Sequence, residues 1–186
     1  MKKIIATIFL TMIFSANAQV IIGDATGTAA VKTSVLLEFA AGQNKGVIVP
    51  YVRTMPTTPT EGTILLDASK PISSRMKYYA GSVKGRVDLS GQDANLNSTN
   101  VLANFATEQP STITETATSK AIIGAQTTAA DGVLVLESTT KAMVLPTVAD
   151  VQNIPSPSPG MMVYINKTGA KRLAVYNGSK WSFWKP

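Results

Sequence analysis

An internal repeat limits what this chain can fold into more than any other feature. Ile21-Ile22-Gly23 returns as Ile122-Ile123-Gly124, and Thr28-Ala29-Ala30 as Thr128-Ala129-Ala130. Val35-Leu36-Leu37-Glu38 returns in Val133-Leu134-Val135-Leu136-Glu137. Lys45-Gly46-Val47-Ile48-Val49-Pro50 returns as Lys141-Ala142-Met143-Val144-Leu145-Pro146. Pro56–Gly62 then matches Pro155–Gly160, and Tyr79-Ala80-Gly81-Ser82 matches Tyr176-Asn177-Gly178-Ser179. The order never changes, and the offset drifts only from 101 at Ile21 to 96 at Lys45. Such recurrence marks one supersecondary unit built twice. The chain divides into residues 1–18, a first copy at 19–90, a polar spacer at 91–120 and a second copy at 121–186.

The punctuation of the unit predicts a mainly β fold. Each copy opens on a Gly/Thr/Ala-rich stretch suited to turns and extended chain, followed by a short apolar strand ending at Glu38 or Glu137. The next strand, Val47–Val52 or Met143–Val148, contains a proline, which removes a ladder donor and confines the strand to an edge or ends it. Val148–Ile154 suits one helical turn before Pro155 stops it. The second copy closes on strands at Met161–Asn166, Lys171–Tyr176 and Trp181–Trp184, and Asn177-Gly178 between the last two predicts a type I′ hairpin. Alternation puts Trp181 and Phe183 on one face, where Leu173 and Val175 are expected to meet them, and Ser182 and Trp184 on the other. The first copy repeats the plan with Thr63–Asp67, Arg75–Tyr79 and Arg86–Leu89, without tryptophan. The Asn/Ser/Thr-rich spacer, with one short helix expected at Val101–Phe105, suggests two separable modules.

Residues 1–18 predict a secretory signal: Lys2 and Lys3, an apolar run from Ile4 to Phe14, and Ala16-Asn17-Ala18 before Gln19. The apolar run is about half of the ~20 residues that a spanning helix requires, and no later stretch reaches that length. The expectation is an exported chain at the cell surface, outside the cell or at the periplasmic face of the outer membrane. It has no cysteine, so no disulfide can brace it.

Composition narrows the chemistry. With neither histidine nor cysteine, the usual zinc sites, cysteine nucleophiles and Ser-His-Asp triads have no residues to use. The eleven acids are dispersed, and Glu38 and Glu137 hold equivalent places in the repeat, which favours a structural job over a catalytic pair. Asp88–Asn95 spaces oxygen ligands around a glycine but lacks the closing bidentate acid of a Ca²⁺ loop, so a polar turn is expected. Lys2 and Lys3 leave with the signal, and the other fifteen basic residues are scattered, with nothing longer than the Lys171-Arg172 pair, which argues against nucleic acid. No catalytic residue, cofactor or metal is expected. Tyr164, Tyr176, Trp181 and Trp184 are the candidate interaction surface, for protein contacts or, alternatively, for stacking a carbohydrate.

At these residues a resemblance becomes visible. The second copy carries it in Val135–Lys141, Leu145-Pro146, Ile154-Pro155, Gly160, Val163–Asn166 and Tyr176-Asn177-Gly178-Ser179-Lys180-Trp181. This pattern resembles a module of secreted and surface proteins of Bacteroidota and is similar to modules near the ends of phage tail fibres. It departs where the family has Pro-Arg-Met-Thr and this chain has Pro146-Thr147-Val148-Ala149, and where Tyr51 precedes Arg53-Thr54-Met55. The resemblance implies a surface or fibre context, an interaction role and frequent trimerisation among the phage relatives, and supplies no catalytic residue. The expectation is a non-enzymatic adhesin-like or fibre-like component, or an accessory subunit of an envelope assembly, that works through a protein partner in the cell envelope or through self-association as a homotrimer.

Overall fold

The computed structural model describes residues 19–27, 29–97, 109–114, 116 and 118–184. The signal sequence and the Val101–Phe105 helix expected above lie outside the described residues. Among the described residues there are fourteen short strands, two 3-10 turns and no α-helix, a mainly β fold. No helix among them is long and apolar enough to cross a membrane.

Copy 1 contributes β1 (Val20–Ile22), β2 (Val35–Phe39), β3 (Val47–Ile48), β4 (Tyr51–Val52), β5 (Ile64–Asp67), β6 (Arg75–Tyr79) and β7 (Arg86–Asp88). Copy 2 contributes β8 (Ala121–Ile123), β9 (Leu134–Leu136), β10 (Ala142–Val144), β11 (Thr147–Val148), β12 (Met161–Ile165), β13 (Arg172–Tyr176) and β14 (Trp181–Trp184). The proline-bearing strand is broken in both copies, at Val49-Pro50 and at Leu145-Pro146, because proline has no N–H to continue a ladder. The turn expected before Pro155 is a 3-10 turn at Val151–Asn153, capped by Asp150, whose carboxylate accepts from Gln152 N at 3.1 Å.

The two meanders match bond for bond. Leu66 N donates to Pro50 O at 3.0 Å, and Tyr164 N to Pro146 O at 2.9 Å. Gly62 N donates to Tyr79 O at 2.9 Å, and Gly160 N to Tyr176 O at 2.8 Å. Each meander is four strands joined by one parallel and then two antiparallel pairings, β4-β5-β6-β7 in copy 1 and β11-β12-β13-β14 in copy 2. The opening pairs differ in register: Ile21 lies opposite Glu38, whereas Ile122 lies opposite Val135. A slip of two residues keeps every side chain on its face, so both arrangements suit the same apolar pattern.

The copies exchange strands. β10 of copy 2 lies parallel to β2 of copy 1, giving the order β1-β2-β10. β3 of copy 1 lies antiparallel to the start of β12, with Met161 opposite Ile48 and Met162 opposite Val47. Val35, Leu36, Leu37 and Glu38 are accordingly buried, as a central parallel strand covered on both faces requires. One core cluster draws on both copies: Tyr51, Leu66, Met76 and Leu89 from the first, Met162 and Val175 from the second. Ala94 and Leu96, from the start of the spacer, are buried in it too. The copies therefore interlock, and the picture of two separable modules is replaced by one shared core.

Candidate interaction site

The aromatic sheet at the C-terminal end is pinned by its hairpin. Asn177 is fully buried and does not take positive φ, so the predicted type I′ turn is replaced. Its side-chain oxygen accepts from Ser179 N at 3.0 Å and Lys180 N at 2.9 Å, and its amide donates to Gln92 O at 2.8 Å. Gly178 alone takes the left-handed conformation, φ 104, and a Cβ there would lie 2.6 Å from Leu96 Cδ2. The turn residues thus hold copy 2 against the start of the spacer.

A four-residue loop places Tyr176 opposite Trp181 and Ala174 opposite Phe183. Leu173 pairs instead with Trp184 and Val175 with Ser182, which corrects the expected partners of Trp181 and Phe183 by one residue. The four candidate residues divide between two faces. Tyr176 and Trp181 lie on the outer face with ring centroids 5.1 Å apart, packed with Val148, Ile154, Met161 and Val163. Burial raises the Tyr176 phenol above its ordinary pKa. Tyr164, half-buried, shares the inner face with Trp184 across Leu173. Trp184 keeps 46% of its surface exposed, yet its indole N–H donates to Leu89 O at 2.8 Å, and Ser182 Oγ donates to Ser90 O beside it. The aromatics therefore serve a core and a seam, and no single flat platform gathers all four.

The equivalent outer face of copy 1 is charged. Lys77 meets Asp67 at 2.7 Å, and Arg75 bridges Asp88 and Asp93. Burial alone would raise both Asp67 and Asp88, but hydrogen bonds from Lys77 and Ser69 hold Asp67 below its ordinary value. Those from Ser90 and Arg75 do the same for Asp88. Arg75 is in turn held more firmly protonated by the two carboxylates. The acids of the Asp88–Asn95 loop are thus turned onto a guanidinium and onto the loop's own serine, as in a polar turn.

Glu38 and Glu137 share a structural task. Glu38 is fully buried, accepts from Ala29 N at 2.5 Å and Gln19 Nε2 at 3.1 Å, and pairs with Lys32 at 2.8 Å. Glu137 accepts from the hydroxyl of Thr128, which in turn accepts from Ala130 N at 3.0 Å. Each carboxylate clamps the small-residue loop of its own copy. The burial of the Glu38 charge is offset by Lys32 and the hydrogen bonds that the carboxylate accepts.

The spacer's far end is anchored through Gln109, a contact that sequence patterning does not reveal. Its amide accepts from Tyr51 N at 2.8 Å and donates to Val49 O at 3.3 Å, closing the backbone edge on either side of Pro50. Exposed large apolar residues remain at strand edges: Ile48 at 44%, Val133 at 50% and Leu134 at 46%. Residues 122–185, nearly the whole second copy, match a family model described as a phage tail like trimerisation region. No curated protein and no solved structure matches the chain.

Proposed function

We propose that this chain is an exported, non-enzymatic, fibre-like structural protein that works as a homotrimer at the cell surface or in the outer envelope. The observation that carries the reading is the match of residues 122–185 to a trimerisation region. Three features support it. The polar groups of greatest chemical promise, Glu38, Asp67, Asp88 and Glu137, are all engaged in holding loops and strands. The fold exposes apolar strand edges suited to another chain. Residues 1–18 have the charge and apolar pattern of a secretory signal.

Light scattering on the chain beginning at Gln19 tests the assembly: three chains per particle are expected at micromolar concentration. A particle of one chain over that range sinks the trimer. Fractionation of cells expressing the full chain tests export, with the shortened chain expected in the envelope or the medium.

A further inference from the structure

The two copies do not use their equivalent strands equally. In copy 1 the outer edge of β2 is covered by β10, with Ala142 opposite Val35, Met143 opposite Leu37 and Val144 opposite Glu38. Val35 and Leu37 are buried beneath it, at 3% and 0% exposure. In copy 2 the strand equivalent to β2 is β9, and among the described residues it pairs only with β8. Among the described residues no strand covers its other edge, and Leu134, the counterpart of Val35, is 46% exposed. A parallel strand with one bare edge and apolar side chains is a template for another strand.

The repeat also names the strand that fits. The counterpart of β10 in copy 1 is β3: Gly46-Val47-Ile48 stand where Ala142-Met143-Val144 stand. β3 uses one edge on β12, and Ile48 is 44% exposed. Within a chain, the interface between copies joins unlike elements, β10 to β2 and β3 to β12. It is therefore heterologous, and two units cannot satisfy each other's edges. Among the described residues this leaves the second edge of β9 as an unfilled acceptor and the second edge of β3 as its matching donor. Contacts of that kind close into rings when the rotation permits.

We propose that the edge of β9 at Leu134–Leu136 receives β3, Val47–Ile48, of a second copy of this chain, in parallel, repeating between chains the β2–β10 pairing made within one. This rests on the trimer reading above, which sets the closure at three chains. Equivalence with β2–β10 puts Val47 of the neighbour opposite Leu136 and Gly46 opposite Leu134.

Leu134→Lys tests this, because it places a charge at an exposed position that the lone chain tolerates. Light scattering is expected to fall from three chains to one, with the far-UV circular dichroism unchanged. A trimer that survives Leu134→Lys overturns the docking edge and leaves the trimer itself standing, whereas a wild-type chain that is already monomeric overturns both. A second variant guards against an indirect effect. The chain has no cysteine, so Leu136→Cys with Val47→Cys introduces the only thiols. Oxidation is expected to give covalent two- and three-chain species on non-reducing gels, more than tenfold above either single variant. Trimers that give no such species contradict the pairing.

Discussion

Copy 1 and copy 2 share one meander, bond for bond, and finish its outer face with opposite chemistry. Where copy 1 has Asp67, Lys77, Arg86 and Asp88, copy 2 has Ile165, Ala174, Trp181 and Phe183. The arginine is common to both, and its partner changes. Arg75 binds the Asp88 carboxylate, while Arg172 lies 4.4 Å over the ring of Phe183. The comparison teaches that the backbone plan tolerates either an ion-paired or an aromatic finish. The inner faces have no such freedom, since Leu66, Met76, Met162 and Val175 meet in one core.

Equivalent substitutions sharpen that contrast. Trp181→Ala removes the ring packed on Tyr176 and is expected to cost about 3 kcal/mol in urea unfolding. Its counterpart Arg86→Ala, at an exposed position, is expected to stay within about 0.5 kcal/mol. Equal losses at the two sites would break the distinction. Next in size is Gly178→Ala, expected to cost about 2 kcal/mol because the new methyl meets Leu96 and Pro159 at positive φ. Gly81→Ala, the same position in copy 1, meets only the flexible end of Glu61 and should lose less, about 1 kcal/mol. Thermal melts of the two variants decide it.

The smallest expected effect is that of pH on the charged face. Asp67 and Asp88 have folded pKa values below the ordinary 3.8, so their contribution is complete above that value. It is lost as pH falls through the folded values, when both carboxylates take up protons. Stability measured from pH 5 down to pH 2 should decline, and Asp67→Asn with Asp88→Asn should flatten part of the decline. An unchanged slope in that double variant would remove these two groups from the account.

The local strands were legible from the sequence because their signals are local. Met161–Ile165, Arg172–Tyr176 and Trp181–Trp184 fall within a residue of the expected spans, bounded by Gly160, Gly169 and Asn177-Gly178. Pairing Trp181 and Phe183 with Leu173 and Val175 overlooks the even count of the loop: a two-residue turn would set Trp181 opposite Ala174 and the observed four-residue loop sets it opposite Tyr176, both on the other face from Leu173 and Val175. β1 and β8, three residues each, are too short to show a period. The exchange of β3 and β10 between copies was hidden for another reason: which edge a strand of two or three residues selects is decided by distant packing. Of the candidate residues, Trp184 was placed correctly opposite Trp181 in face, and its bond to Leu89 belongs to the fold rather than to any motif.

The central claim is that two copies interlock into one body, and the distribution of tryptophan makes it directly measurable. Trp181 and Trp184 both lie in copy 2, so their emission reports that copy and its seam with Leu89, while far-UV circular dichroism reports strands of both. Followed together through a urea titration, the two signals should trace one coincident transition, because Met162 and Val175 share a core with Leu66 and Met76. A tryptophan transition separated from the circular dichroism transition would mean that the copies unfold apart, and would contradict the shared core.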